Sequence, residues 1–322
     1  MTVSVMITSR DRVADLRRTL ERLGRLEPAA DEILVTADGC TDGTAQMVRQ
    51  EFPHCRLWVI DPGEGSIPAR DHMLRQAKGE LVLSLDDDSY PLDDDFVERL
   101  REVFARHPEV AVMTFPELRD GGVYLPANKS NQSPGHYVSA YPNGAAAMRR
   151  DDYLKAPGFP AFFVHAYEEP DYALQAYSQG SAVWFEPSLV IRHHFSPTNR
   201  NSLRTHHLNA RNELWSVWMR CPWPWLPLVS LFRLYRQFCH ACREGVSWVF
   251  LEPQWWWGAL KGASTSWKAR APISWRIYLA WMRLARHPLF GPEELDKVFG
   301  PRSHDTEAAS SSLIKDSCKV SK

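Results

Sequence analysis

The chain has 322 residues, 44 % hydrophobic and 24 % charged, with a formal net charge of −1, a globular composition long enough for one large domain or a domain with an appendage. No window reaches the ~18 uncharged apolar residues of a membrane span, the opening MTVSVMITSRDR has no signal-peptide character, and among the six cysteines Cys239 and Cys242 stand three apart with no second pair to complete a zinc set, so reduced thiols and a cytoplasmic setting are expected. The near-zero charge hides an asymmetry, because residues 201–290 hold twelve Lys/Arg against Glu213, Glu244 and Glu252, together with eleven of the thirteen tryptophans.

Taken in order, residues 2–8 read as a strand, 9–12 as a polar turn, and Val13, Leu16, Leu20, Leu23 and Leu26 recur at helical spacing. That strand-to-helix junction offers free backbone N–H groups to an anion. A second strand at 32–36 runs into the turn-rich ADGCTDGT and a helix at 45–52; a third strand at 56–60 precedes a GEGS loop and a helix at 67–77. The next strand, 81–85, is continuously apolar, as in a parallel sheet buried on both faces, and ends in Asp86, Asp87 and Asp88. The order β-α-β-α-β-α-β predicts a doubly wound α/β sheet.

Three adjacent carboxylates at a strand end repel one another unless a cation sits among them, and hard divalent cations take carboxylate oxygens. A calcium loop does not fit, since Pro91 stands where its glycine belongs and Val97 where its final glutamate belongs. Ligands of open α/β sheets bind outside the carboxyl ends of the strands, where these aspartates fall.

Beyond them, 94–106 reads as an amphipathic helix and 110–115 as a strand. Residues 117–142, rich in Gly, Pro, Asn and Ser, read as a loop over a site. A small-residue strand is expected at 143–148, a loop at 158–163, a helix at 168–178 opening EEPDY, and short strands at 182–185 and 189–192, followed by His193 and His194. After 201 the pattern turns to Trp- and Arg-rich helices, and the tail from 303 reads as disordered.

The pieces SVMITSRDR, VTADGCTDGT, ARDHMLRQAKGELVLSLDDDS, NGAAAMRRDDY, EEPDYAL and IRHHFS, in this order, resemble the inverting family 2 glycosyltransferases of the GT-A fold over roughly residues 3–200. The stretch with ARNELWSVW resembles, more loosely, the membrane-associated tails of members that build cell-surface polysaccharides. The resemblance implies a mixed, mostly parallel sheet flanked by helices at 1–200, a helical membrane-surface region at 201–302 and a disordered tail at 303–322. It also implies a nucleotide-diphosphate sugar (UDP, dTDP or GDP) as donor, Mn²⁺ or Mg²⁺ as cofactor, and a glycan or lipid-linked acceptor.

Residue by residue, the resemblance implies that Asp38 grips the base, as a carboxylate accepting ring N–H groups; the plain alternative is an Asx turn with Gly39 at positive φ. Thr8 and Asp11 sit where members contact the nucleoside, although Ser9-Arg10 replaces the usual Tyr-Asn. Asp86 is expected to contact ribose or sugar, Asp87 to be the permissive middle residue and Asp88 to ligate the metal. A histidine completes the set, and strand alternation lets only one of His193 and His194 serve; the expectation leans to His194. Arg70 matches a basic residue near the donor phosphates. Glu169 maps onto the general base, with Glu168 and Asp171 as back-ups, while acids in a first helical turn also serve the helix dipole.

Tryptophan prefers the membrane–water interface and arginine favours anionic headgroups, so 201–300 is expected to lie on a bilayer, peripherally at the inner face of the plasma membrane. A Trp-rich packing subdomain is the plain alternative, and no nucleic-acid motif is present. A sugar-phosphate nucleotidyltransferase would want a Gly-rich loop after the first strand, which Thr8–Arg12 lacks. A non-catalytic scaffold on the same fold is the rival of another class.

Overall fold

The computed structural model describes residues 1–124, 134–194 and 202–300, so residues 125–133 of the loop expected over the site and the tail from 303 lie outside the described residues. The first half alternates as the sequence predicts: β1 (Val3–Ser9), α1 (Val13–Leu23), β2 (Glu32–Asp38), α2 (Thr44–Glu51), β3 (Arg56–Ile60), α3 (Ser66–Gln76) and β4 (Leu81–Asp86). Then come β5 (Ser89–Pro91), α4 (Phe96–Arg106), β6 (Val110–Thr114), β7 (Glu117–Arg119), β8 (Gly122–Tyr124), β9 (His136–Tyr137) and β10 (Ala145–Arg149). They are followed by α5 (Arg150–Lys155), α6 (Glu168–Ser178), β11 (Ala182–Phe185) and β12 (Ile191–His193). Six helices close the described chain: α7 (Ser202–Arg220), α8 (Leu226–Glu244), α9 (Val246–Lys261), α10 (Ala263–Lys268), α11 (Trp275–Leu284) and α12 (Pro292–Phe299).

The main sheet has the order β3-β2-β1-β4-β10-β6-β11-β9. It is parallel from β3 to β4, while β10 runs antiparallel to both β4 and β6. The chain leaves β1 for β2 on one side and returns to β4 on the other, so the order reverses between β1 and β4, where a crevice opens at the carboxyl ends. Thr8 and Asp86 are directly paired at that point. The apolar residues of β1 and β4 are fully buried because helices cover both faces, with Leu16, Leu20 and Leu23 of α1 among the core contacts. Ala145, Ala146 and Ala147 of β10 are equally buried, and their small side chains fit β10 between β4 and β6.

A second sheet, β5-β12-β7-β8, stands beside the crevice. It draws on the stretch expected to be a loop: β7 and β8 lie inside 117–142 but are three residues each, too short to leave a periodic signature. Their order comes from pairing with β12, which sets Ile191 beside Glu117 and His193 beside Ser89.

Candidate active site

The three aspartates at the end of β4 meet two arginines. Arg12, at the entry of α1, reaches Asp88 Oδ2 at 2.9 Å and Asp87 Oδ1 at 3.3 Å. Arg70, on α3, donates to Asp86 Oδ1 at 2.5 Å and lies 3.7 Å from Glu168 Oε1, so one buried guanidinium spans the DDD turn and the EE turn. Gly144 permits this approach, since a Cβ there would stand 2.4 Å from Asp86 Oδ2. Asp87 faces inward, accepting from the Ser9 hydroxyl at 2.9 Å. Burial pushes its pKa up to about 7 against the pull of Arg12. Burial would raise Asp88 as well, but His193 and Arg12 overcome it and hold that carboxyl below the usual range.

The histidine expected to join this cluster is corrected from His194 to His193. Pairing with Ser89 turns His193 inward, with Nε2 3.1 Å from Asp88 Oδ1 and 3.9 Å from Asp86 Oδ2. The next residue faces the other way, as alternation requires, and His194 Nε2 meets the Tyr90 hydroxyl at 2.8 Å. Glu117 fixes the ring of His193 through Nδ1 at 2.7 Å, an arrangement that leaves Nε2 for the carboxylates and raises the basicity of a metal-binding imidazole. Burial works to lower the pKa of His193, but Asp88 and Glu117 prevail and carry it up to about 9.

These residues fit a divalent cation. One ligand atom each from Asp86, Asp88 and His193 falls within 4.8 Å of the others. Asp88 Oδ1 is buried and faces His193 Nε2 at 3.1 Å. Two carboxylates and an imidazole suit Mn²⁺ or Mg²⁺, the nitrogen favouring Mn²⁺.

Across Arg70 lies the start of α6. Glu168 is buried, accepts from Asn143 Nδ2 at 3.0 Å and keeps Oε2 without a hydrogen bond. Half-buried Glu169 accepts from the backbone N–H of Asn143 at 3.4 Å. Burial and the neighbouring Glu168 hold its pKa well above the ordinary carboxylate value, against Arg70. Asp171 is unsuited to the role of back-up base. It is 0 % exposed and forked by Arg220 at 3.1 and 3.0 Å, with Ser216 and Gln175 donating at 2.7 Å each.

The residues expected at the nucleoside edge lie at the carboxyl ends of β1 and β2, Thr8 and Asp38 within the last residues of the strands and Asp11 just past β1. Asp38 is 4 % exposed and accepts the backbone N–H groups of Glu64 at 2.7 Å and Gly65 at 2.9 Å, fastening the loop that leads into α3. Gly39 sits at φ +66° with Gly63 N 3.0 Å from the position of an added Cβ, so close approach as well as turn geometry requires glycine there. Exposed Asp11, at φ 52°, accepts the Thr41 N–H at 2.6 Å and joins the two loops. Thr8 is half-buried beside Asp86.

Four residues of this site escape the sequence reading. Arg12 offers one signal, a base just past the first strand, opposite three acids elsewhere. Glu117 and Asn143 offer none, because only strand pairing and loop packing bring them in. The fourth is Asn212 of α7, whose amide Nδ2 lies 3.2, 2.8 and 2.8 Å from the carbonyls of Phe163, His165 and Ala166. That segment carries Val164, Ala166 and Tyr167 at φ 66°, 71° and 71°, conformations costing an L-residue about 1 kcal/mol or more each, and it delivers the chain to Glu168.

A family model described as "Glycosyl transferase family 2" matches residues 4–233. A search of curated proteins finds no match. Among solved structures, GalNAc-T7 with UDP, GalNAc and Mn²⁺ superposes with TM-score 0.56 at 14 % identity, over 70 % of this chain and 49 % of that one. S. aureus TarS 1-349 in complex with UDP gives 0.53 at 17 %, over 67 % and 65 %. Mannosyltransferase PcManGT from Pyrobaculum calidifontis, in complex with GDP-Man and Mn²⁺, gives 0.53 at 16 %, over 88 % and 85 %. The chain thus spans about half the length of GalNAc-T7 and about two thirds of the TarS fragment. At these identities the likeness shows the fold, a mixed α/β GT-A sheet with a helical extension; the family follows from the sequence match over most of the chain, which belongs to glycosyl transferase family 2.

Proposed function

We propose that the protein is a metal-dependent inverting glycosyltransferase, moving a sugar from a nucleotide-diphosphate donor to a hydroxyl of a glycan or lipid-linked acceptor. The observation that carries this reading is the convergence of Asp86, Asp88 and His193 with the EE turn on the two sides of Arg70. The complexes of the similar structures with UDP or GDP-Man, two of them with Mn²⁺, support it. Asp88 and His193, with Asp86, would hold Mn²⁺ or Mg²⁺, and the bound cation would neutralise charge on the leaving diphosphate. Arg12 and Arg70 add fixed positive charge to the same end of the sheet. Glu169 takes the acceptor proton while the acceptor oxygen bonds to the anomeric carbon. The bond from that carbon to the diphosphate breaks, and its electron pair leaves with the diphosphate; a single displacement inverts the configuration. A carboxyl of raised pKa is suited to this near neutral pH. Thr8, Asp11 and Asp38 are read as the nucleoside edge, with Asp87 as internal support for the turn.

The finer organisation in this reading is a catalytic part at 1–200, a helical part at 201–302 that meets the inner face of the plasma membrane where a lipid-linked acceptor is presented, and a tail at 303–322.

The test is the melting temperature of the full chain with UDP, dTDP, GDP or CDP, each with and without Mn²⁺, beside Asp88→Asn. Binding to the native state stabilises by mass action, about 2.7 kcal/mol at a hundredfold excess over Kd. One nucleotide should raise the midpoint by a few degrees only with metal, and Asp88→Asn should lose that dependence. No shift with any of the four would overturn the donor-site reading.

A further inference from the structure

We propose that the joint outer face of α8 and α9 docks on an anionic lipid bilayer, which specifies the partner of the membrane reading above and rests on it for its purpose. Along α8 the exposed side chains are Leu228, Leu231, Phe232, Tyr235 and Phe238, at 62, 64, 52, 67 and 38 % of full exposure. Their steps of three and four residues form one stripe. On α9 the stripe is Val246, Phe250, Trp257 and Leu260, at 73, 79, 61 and 61 %. The two stripes are continuous, because Leu214, Trp218, Tyr235, Phe238, Trp256 and Leu260 line one open apolar groove of about 570 Å³ where α7, α8 and α9 meet.

Charge selects the occupant. Of the three acids between 201 and 290, Glu213 and Glu252 are 1 and 0 % exposed. Glu213 is paired with Arg233 at 3.0 Å, and Glu252 with His206 and the Trp255 indole at 2.7 and 2.8 Å. On α8 and α9 this leaves Glu244 as the one exposed acid, against exposed Arg243 and Lys261, while exposed Arg236 also pairs with Glu213. Lys268 continues the basic rim on α10, and Lys261 lies 5.6 Å over the Trp257 ring. An apolar, aromatic stripe bordered by cations is the chemistry of an interfacial helix on anionic lipid. No described helix is long and apolar enough to cross a membrane, so this contact lies on the surface.

The full chain is sedimented with vesicles of phosphatidylcholine alone and of phosphatidylcholine with phosphatidylglycerol, beside Leu231→Glu/Phe250→Glu, whose altered side chains are already in solvent. Binding to the anionic vesicles, weaker in high salt and at least ~tenfold lower in the double variant, is the expected result. No binding to either vesicle, equal binding by the double variant, or a solution dimer that the double variant abolishes would overturn the proposal. The nucleotide-dependent melting shift does not involve this face, so the double variant separates failure here from failure of the donor-site reading.

A second inference stands on different observations: we infer that Asn212 is a positioning residue for Glu169. Its amide, 0 % exposed, brings two N–H groups to the carbonyls of Phe163, His165 and Ala166, in a segment where Val164, Ala166 and Tyr167 have positive φ. Arg211 Nε orients that amide through Oδ1 at 3.0 Å, and Arg211 Nη2 donates to Phe163 O at 3.0 Å. On its far side the segment rests on the start of α3, where a Cβ at Gly65 would stand 2.6 Å from the Val164 carbonyl oxygen. Releasing Asn212 frees the turn that carries Glu168 and Glu169 past Arg70, and lets water reach Glu169.

The groups around Glu169 are Glu168, Arg70 and Tyr141, all retained in the test. The melting-temperature change on Glu169→Gln at pH 8 is measured in the wild-type and Asn212→Ala backgrounds, a cycle that isolates the coupling. The gain should fall by at least half when Asn212 is absent, and Asn212→Ser, which keeps one donor and serves if the alanine variant does not fold, should give a smaller fall. An undiminished gain in the Asn212→Ala background, or in Asn212→Ser where the alanine variant does not fold, would overturn the inference, since a merely structural amide would lower both members of the pair alike.

Discussion

Glu169→Gln should abolish turnover and raise the melting temperature at neutral pH. A general base contributes about 10²–10⁴-fold to rate, and the amide cannot take the acceptor proton, so the loss should lie in kcat. The stability gain follows from where the carboxyl stands. Burial and Glu168 raise the pKa of Glu169 in the folded protein, so across the window between the ordinary glutamate value and that raised one the folded chain binds more proton than the unfolded chain. Stability therefore falls as pH rises through this window. Glutamine carries no such penalty. The variant's melting temperature should exceed the wild type's at pH 7–8, and the two should draw together near pH 4. Turnover of the wild type should rise with pH over the same interval, because only the ionised carboxylate is a base. A variant that loses both activity and stability would remove Glu169 from the role of strained base and return it to ordinary packing. Stability exchanged for function is the expected signature of an active-site acid.

The first half of the fold was readable because it obeys local rules: apolar runs long enough for buried strands, helices with leucines at every third or fourth place, glycine where the chain turns. The helices at 168–178 and the strands at 56–60 and 182–185 agree with the structure at both ends. Of the second sheet only β12 was anticipated, as the strand at 189–192; the rest was illegible since its strands are three residues long and owe their order to partners distant in sequence. That same sheet decides between the two histidines, as the pairing of His193 with Ser89 is a tertiary fact. Asp171 was misplaced among the back-up bases for a related reason. Its partners come from α7, some fifty residues on, and nothing in EEPDY distinguishes an acid that faces the crevice from one that faces Arg220.

Arg220→Ala should unfold or severely destabilise the protein, by about 3–5 kcal/mol, the usual cost of stranding one member of a buried ion pair. Stable domains keep only about 5–15 kcal/mol in all, so the urea midpoint should drop by a large fraction with little change in slope. Arg220 reaches both oxygens of Asp171 and is itself 3 % exposed. Lysine in its place supplies charge without the planar fork and should recover part of the loss. The contrast with Glu169 is physical: the two acids stand two residues apart on one helix, yet removing the charge at 169 relieves the fold and removing the counter-charge at 171 ruins it. One carboxyl has been left short of partners where chemistry needs it, while the other has its charge fully matched. The matching groups, Ser216 and Arg220, belong to α7, as does Asn212, so α6, which carries Glu169, is fastened from beyond residue 200. A chain ending at 200 should therefore behave like the Arg220 variant and fail to give a cooperative melt. A cooperative melt of that fragment would mean that α7 only leans on the catalytic part, and the cost assigned to Arg220 would have to be sought in the free energy of α7 alone.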